Sequence, residues 1–155
     1  MARAAAAALV LLALATGAVG CGGDEGVAAG ATVRVYVSGS ACPAAKRELA
    51  RVGGRAGDVH ISAVCLAATK AGGRPDLAAI GADARRASED SAAIAYLEAP
   101  DPAAARFAQP ILESAGIGWI ESRSGAAAMR RVLRAVDEAD SGSLRDKVRA
   151  NLEAG

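Results

Sequence analysis

The sequence predicts a small α/β protein with a four-stranded parallel sheet and about five helices. The chain has 155 residues, which is enough for one small domain. From Thr32 onward, short apolar runs alternate with segments of helical periodicity, and that order is typical of a parallel sheet with helical connections. After Gly125 the pattern is helical only, so we expect the C-terminal residues 125–155 to add helices and no strand.

Each strand is predicted from β-branched or buried-type apolar residues. The first run, TVRVYVS, alternates valines with Arg34 and Tyr36, as a half-buried strand does. The run AAIAYL is continuously apolar, which is typical of a strand covered on both faces. The four predicted strands are residues 32–38, 59–66, 92–97 and 117–121.

Helix signals lie between these strands. Ser40 is placed to cap a first helix that has Pro43 in its first turn and ends at about Val52, before two glycines. The dipeptide Pro75-Asp76 opens a second helix. The third opens at Asp101 and closes at Gly116, and Pro110 should kink it, because proline lacks an amide hydrogen and its ring clashes with the preceding turn.

Two further helices are predicted in the C-terminal segment. Four apolar residues at helical spacing form one stripe, which must dock on the sheet because an isolated helix of this length is marginal in water. That stripe consists of Met129, Val132, Leu133 and Val136. Ser143 with Asp146 resembles a capping box for the last helix. We also expect Phe107 and Trp119 to lie in the core.

The N-terminal residues predict export and membrane attachment. Arg3 precedes an apolar run, residues 4–15, that is too short to span a bilayer, so residues 1–20 are predicted to be a signal peptide. The residues Ala-Val-Gly before Cys21 resemble the lipobox of bacterial lipoproteins, which predicts lipidation of Cys21 and an extracytoplasmic, membrane-anchored protein. The alternative is an ordinary signal peptide with Cys21 incidental. Residues 21–31 are rich in glycine and polar residues and are predicted to form a flexible tether.

Composition argues against two classes of partner. The formal charge is +1 and the basic residues are scattered, so the basic surface expected of a nucleic-acid binder is absent from the sequence. One histidine and three cysteines, without CxxC or HExxH, are too few for a zinc site of the usual spacings. We therefore expect no nucleic acid, no metal and no cofactor.

Several segments in order resemble one protein family. The order and spacing of these segments, rather than any single motif, are similar to the first lobe of type 1 periplasmic binding proteins, specifically the leucine/isoleucine/valine-type solute-binding lipoproteins of ABC transporters. The segment 128–135 is similar to a late helix of that family, so a whole second lobe is missing between Ser124 and Gly125. The segments that carry the resemblance are 33–38, 53–57, 84–91 continuing into 93–96, and 110–117.

This resemblance implies a doubly wound lobe with strand order 2-1-3-4, all parallel, that binds a small solute such as an amino acid at the carboxyl ends of its strands. One lobe offers half a site, so a second lobe from another chain or an ABC permease is the implied partner. Glu98 stands where relatives carry Gly-Asp, and Ala67-Ala68 stand where they often carry paired acids, which predicts weak or lost binding. The candidate ligand-binding residues are Ser38, Ser40, Glu98, Asp101, Ser122 and Ser124. Ser40 and Asp101 are also well placed as helix caps.

The cysteines leave three interpretations open. Cys42 and Cys65 lie at the carboxyl ends of the first and second predicted strands, which should be neighbours, and could form a disulfide in an oxidising compartment. Cys42 near a helix N-terminus could instead be a reactive thiolate, or both could be buried and inert. The sequence thus favours an exported binding protein that is not an enzyme, and the alternative is a thiol-dependent redox or transferase-like enzyme using Cys42.

Overall fold

The computed structural model describes residues 30–67, 70–71, 74–139 and 143–155. The predicted signal peptide, the lipidation site Cys21 and most of the predicted tether, residues 21–29, lie outside the described residues. Within them the chain is an α/β protein, which confirms the predicted class.

The described residues form seven strands. They are β1 (Thr32–Val37), β2 (Arg55–Ala56), β3 (Val59–Cys65), β4 (Lys70–Ala71), β5 (Arg74–Pro75), β6 (Ala93–Glu98) and β7 (Gly118–Glu121). The main sheet has five strands in the order β2-β3-β1-β6-β7, with β1 in the centre. The pairs β3–β1, β1–β6 and β6–β7 are parallel. The strands β4 and β5 form a separate antiparallel pair.

The predicted four-stranded, entirely parallel sheet is therefore wrong in strand number and in being wholly parallel. The additional strand β2 is antiparallel to β3 at the sheet edge, where Ala56 pairs with Val59 across a turn containing Gly57. Gly57 has φ +52°, a left-handed conformation that favours glycine. Because β2 has only two residues, it has no alternation that a sequence pattern could reveal.

Six helices are found in the described residues. They are α1 (Cys42–Arg51), α2 (Leu77–Ser88), α3 (Pro102–Phe107), α4 (Gln109–Ser114), α5 (Gly125–Asp137) and α6 (Leu144–Ala154). The predicted third helix is divided at Ala108 into α3 and α4. Pro110 is the second residue of α4, in the first turn, where its missing amide hydrogen costs no helical hydrogen bond.

Two predicted caps are corrected by the structure. Ser40 lies in a 3-10 turn, Gly39–Ala41, and α1 begins after Ala41 without a side-chain cap. The turn already supplies helical backbone before α1, so the residue at its N-cap is Ala41, which has helical backbone angles and no side chain that can cap. Ser143 does hold the N-cap position of α6, but its side chain makes no capping hydrogen bond.

The helices cover both faces of the sheet. On one face α1, α5 and α6 pack against the valines of β1, and on the other α2, α3 and α4 pack around Tyr36 and Tyr96. The stripe on α5 docks as expected at Met129, Val132 and Val136, which are buried. Its fourth member, Leu133, is only half-buried, because it lies at the side of α5 rather than on the face toward the sheet.

Aromatic burial also differs from the expectation. Phe107 is 43% exposed, because it is the last residue of the short helix α3. Trp119 is half-buried and stacks on Tyr96, with ring centroids 5.6 Å apart.

The helix α6 is held to the sheet by polar contacts as well as by Val148 and Leu152. Arg145 donates to the backbone carbonyls of Asp90 and Ala115 at 2.9 and 3.2 Å. These bonds satisfy carbonyls near the start of β6 and the end of α4. The C-terminal segment is thus part of the same core as the strands.

Candidate functional site

The carboxyl ends of β1, β6 and β7 bring five of the six predicted ligand-binding residues to one edge of the sheet. Because these strands are parallel and adjacent, the residues that follow them share this edge. We call it the carboxyl edge, and its members are Ser38, Glu98, Asp101, Ser122 and Ser124. Ser40 lies nearby in the 3-10 turn but is exposed.

Glu98 is the most unusual residue of the carboxyl edge. It is only 5% exposed, although it is a carboxylic acid at the end of a strand. Its Oε1 accepts a hydrogen bond from the Ala99 amide at 3.0 Å, and the same amide lies 3.3 Å from the Ser38 hydroxyl oxygen. Burial raises the pKa of Glu98, and the nearby carboxylates of Asp101 and Asp83 add to this, whereas hydrogen bonds from Ser38 and Ala99 oppose it.

Asp101 and Ser124 are helix caps. The Asp101 carboxylate accepts from the Ala103 amide at 2.9 Å at the start of α3, as the capping alternative predicted. The Ser124 hydroxyl accepts from the Ala127 amide at 3.2 Å at the start of α5. Both side chains therefore satisfy amides that helix formation leaves without partners.

Ser122 is bonded within its own turn. Its hydroxyl donates to the Ser124 carbonyl at 3.1 Å and accepts from the Ser124 amide at 3.2 Å. The Ser122 amide donates to the Glu98 carbonyl at 2.9 Å, which ties the ends of β6 and β7 together. The polar side chains of the carboxyl edge are thus mostly engaged by backbone groups of the turns and helix starts around them.

Three residues that sequence reasoning did not select contribute to this edge. Glu121 accepts from the Asp101 amide at 3.2 Å. Burial raises the pKa of Asp83 on α2, and the interaction with Arg86 lowers it in part. Burial also raises the pKa of Tyr96, and the charge of Glu98 adds to this. Glu121 directly precedes a predicted loop, and this position could have identified it from the sequence as a member of the site. No feature of the sequence pointed to Asp83.

The structure joins Cys42 to Cys65 in a disulfide, with Cα atoms 5.6 Å apart. Cys42 is 2% exposed at the first turn of α1, whereas Cys65 is exposed at the end of β3. Val37 is the register partner of Cys65, so the disulfide lies directly beside Ser38. In this form Cys42 carries no free thiolate.

In the part of the chain that the structure describes, no group of three or more histidine, cysteine, aspartate or glutamate residues is arranged to hold a metal ion. No helix among the described residues combines the length and apolarity needed to cross a bilayer.

Comparisons with protein-family models, with curated proteins and with solved structures found no match to this chain.

Proposed function

We propose that this protein is an exported lipoprotein, anchored through Cys21, whose α/β lobe is related to the solute-binding proteins of branched-chain amino-acid ABC transporters and binds solute weakly or not at all. The observation that carries this proposal is the carboxyl edge, where Ser38, Glu98 and Ser122 lie together. The order of the four parallel strands, 59–65, 32–37, 93–98 and 118–121, supports a doubly wound lobe of this class.

The hydrogen bonding of the carboxyl edge supports weak binding. A ligand carboxylate needs free donors and a ligand ammonium needs free acceptors, and both must be partly shielded from water. Here Asp101 and Ser124 already cap helices, and Ser122 is bonded in its turn. A single lobe also leaves the ligand hydrated, because no second lobe closes over it.

The test of solute binding is calorimetric titration of the purified protein with leucine, isoleucine and valine. We expect dissociation constants no better than about millimolar. Micromolar binding by the monomer would contradict the single-lobe argument. Micromolar binding by a dimer alone would mean that a second chain supplies the other half of the site.

The test of membrane attachment is fractionation of cells that express the parent chain or Cys21→Ala. A chain anchored by acyl groups on Cys21 pellets with membranes, and the variant moves to the soluble extracytoplasmic fraction. If both pellet equally, the anchor assignment is wrong. This measurement is independent of solute binding.

The second candidate function is a thiol-dependent redox or transferase-like enzyme using Cys42. The observation that favours it is the pairing of a buried cysteine at a helix start with an exposed one. Titration of thiols at neutral pH before and after mild reduction separates the candidates. A redox enzyme gains two reactive thiols under mild reductant, whereas a structural disulfide resists.

A further inference from the structure

A groove on the outer side of α1 and α5 is separate from the carboxyl edge. Its larger part is a cavity of about 570 Å³ that lies between α1 and α5. Glu48 of α1 and Val52, the residue after α1, line one side, and Arg130 and Leu133 of α5 line the other. A second cavity of about 290 Å³ extends it toward Gly57. The two cavities share Val52, Leu133 and Arg134, so they form one continuous groove, which we call the arginine groove.

The floor of the arginine groove is apolar. Val52 is 45% exposed, which makes it one of the most exposed large aliphatic side chains among the described residues. Leu133 is half-buried beside it, and Ala127 and Ala56 complete the floor. An aliphatic side chain that entered the groove would remove this apolar surface from water.

The rim of the arginine groove is basic. Four arginines line the two cavities, Arg55, Arg130, Arg131 and Arg134, against two acids, Glu48 and Asp137. Glu48 is held by Arg130 at 3.0 Å and by Arg51 at 3.5 Å. Arg131 donates to the Leu152 carbonyl at 2.9 Å. Among the described residues, the side chain of Arg134 makes no hydrogen bond or ion pair, so its guanidinium is available to an anion.

We propose that the arginine groove binds an acidic peptide segment of a partner protein, with carboxylates on Arg134 and Arg131 and an aliphatic side chain over Val52 and Leu133. Charge complementarity favours an acidic occupant, because arginine pairs with carboxylates through two parallel hydrogen bonds. A second copy of this chain would bring the same basic rim against itself. A bilayer surface is flat and would leave the concave floor unfilled.

This inference goes beyond the proposed function and holds whether or not Cys21 is lipidated. The test is selection of phage-displayed random heptapeptides on the purified full chain. We expect enriched peptides to carry two or more aspartates or glutamates next to leucine, isoleucine or valine. The most enriched sequence, made as a fluorescent peptide, then gives a dissociation constant by anisotropy.

Two variants and one control make the measurement specific. Arg134→Glu should weaken peptide binding at least tenfold, and Val52→Ser should weaken it severalfold; both side chains are exposed, so folding is retained. Arg106→Glu on α3, on the opposite face of the sheet, should change binding by less than twofold. Higher salt should weaken binding of the parent.

Four outcomes would overturn the proposal. They are no enrichment, enrichment of peptides without carboxylates, binding that Arg134→Glu leaves unchanged, and Arg134-dependent binding to phosphatidylglycerol vesicles without peptide enrichment. A dimer in light scattering that Val52→Asp disperses would equally overturn it, in favour of a second copy of this chain.

Discussion

The carboxyl edge and the arginine groove use their polar groups in opposite ways. At the carboxyl edge, Asp101 and Ser124 cap helices, Ser122 closes a turn and Glu98 is buried against Ser38. In the groove, the rim has more arginines than acids, and the side chain of Arg134 has no partner among the described residues. The side chains of Asp101, Ser122 and Ser124, which suggested binding in the sequence, are thus engaged within the fold. The groove is instead formed by residues that are far apart in the sequence.

The largest effect is expected inside α5, where the groove meets the core. Met129 is fully buried, so Met129→Ala should lower the free energy of unfolding by about 2 to 5 kcal/mol. Leu133→Ala, one turn along the groove side, should cost clearly less, because Leu133 is already half-exposed to water. Urea unfolding of both variants measures the difference. Equal losses would mean that Leu133 belongs to the core and is not groove floor.

The disulfide beside Ser38 should have the next largest effect. The bond closes a loop with a sequence separation of 23, so replacing both cysteines, Cys42→Ala with Cys65→Ala, should cost about 3 kcal/mol through the greater freedom of the unfolded chain. Thermal unfolding with and without reductant checks this. Reductant should lower the Tm of the parent and leave that of the double variant unchanged. A parent whose Tm is unchanged after the bond has been fully reduced would contradict a structural role for the bond.

A third prediction concerns the close approach at the start of α5. A Cβ atom built on Gly125 would overlap the backbone carbonyl oxygen of Ala41, which cannot move without shifting the 3-10 turn. Gly125→Ala should therefore cost about 1 to 3 kcal/mol. The matched control is Gly81→Ala in α2, where only the flexible Arg85 side chain is near and alanine should stabilise by about 0.5 to 1 kcal/mol. If both variants behave alike, the turn and α5 are not in contact.

The sequence predicted the four longer strands of the main sheet and missed the strands of two residues. The runs that became β1, β3, β6 and β7 are long enough to show alternation or continuous apolar character. The strands β2, β4 and β5 have two residues each, and a pair of residues has no period. Pro110 was correctly identified as a disturbance, but a kink and a break differ only in the packing around Ala108.

The sequence places the candidate residues at one edge of the sheet, but it does not show how their side chains are bonded or buried. Residues after parallel strands necessarily meet at one edge, so Ser38, Glu98 and Ser122 could be brought together from sequence alone. Which of them would be buried depends on side chains from other elements, such as Asp83 on α2. The arginine groove could not be predicted, because Val52 and Leu133 meet only through the packing of α1 on α5.

The smallest expected effect, and the one that tests the carboxyl edge most directly, is the pH dependence due to Glu98. Because burial raises its folded pKa above the ordinary value near 4.5, the folded state holds the proton more tightly than the unfolded chain. Stability therefore falls as the pH rises from that ordinary value through the folded pKa. At neutral pH the ionised carboxylate is a net cost to folding.

Glu98→Gln removes the ionisation and keeps an oxygen that can accept from the Ala99 amide. The variant should be more stable than the parent at pH 7, by about 1 kcal/mol, and the difference should vanish below pH 4, where both side chains are neutral.

Asp90→Asn is the control, for which we expect the opposite dependence of stability on pH. Partial burial opposes ionisation of Asp90, but hydrogen bonds from Arg34, Tyr36 and the Ala92 amide together lower its pKa. Its contribution is therefore present at neutral pH and lost as the pH falls. Unfolding free energies from pH 3 to pH 8 test both, and a Glu98→Gln variant less stable than the parent at pH 7 would contradict the raised pKa of Glu98 and show that its anion stabilises the fold.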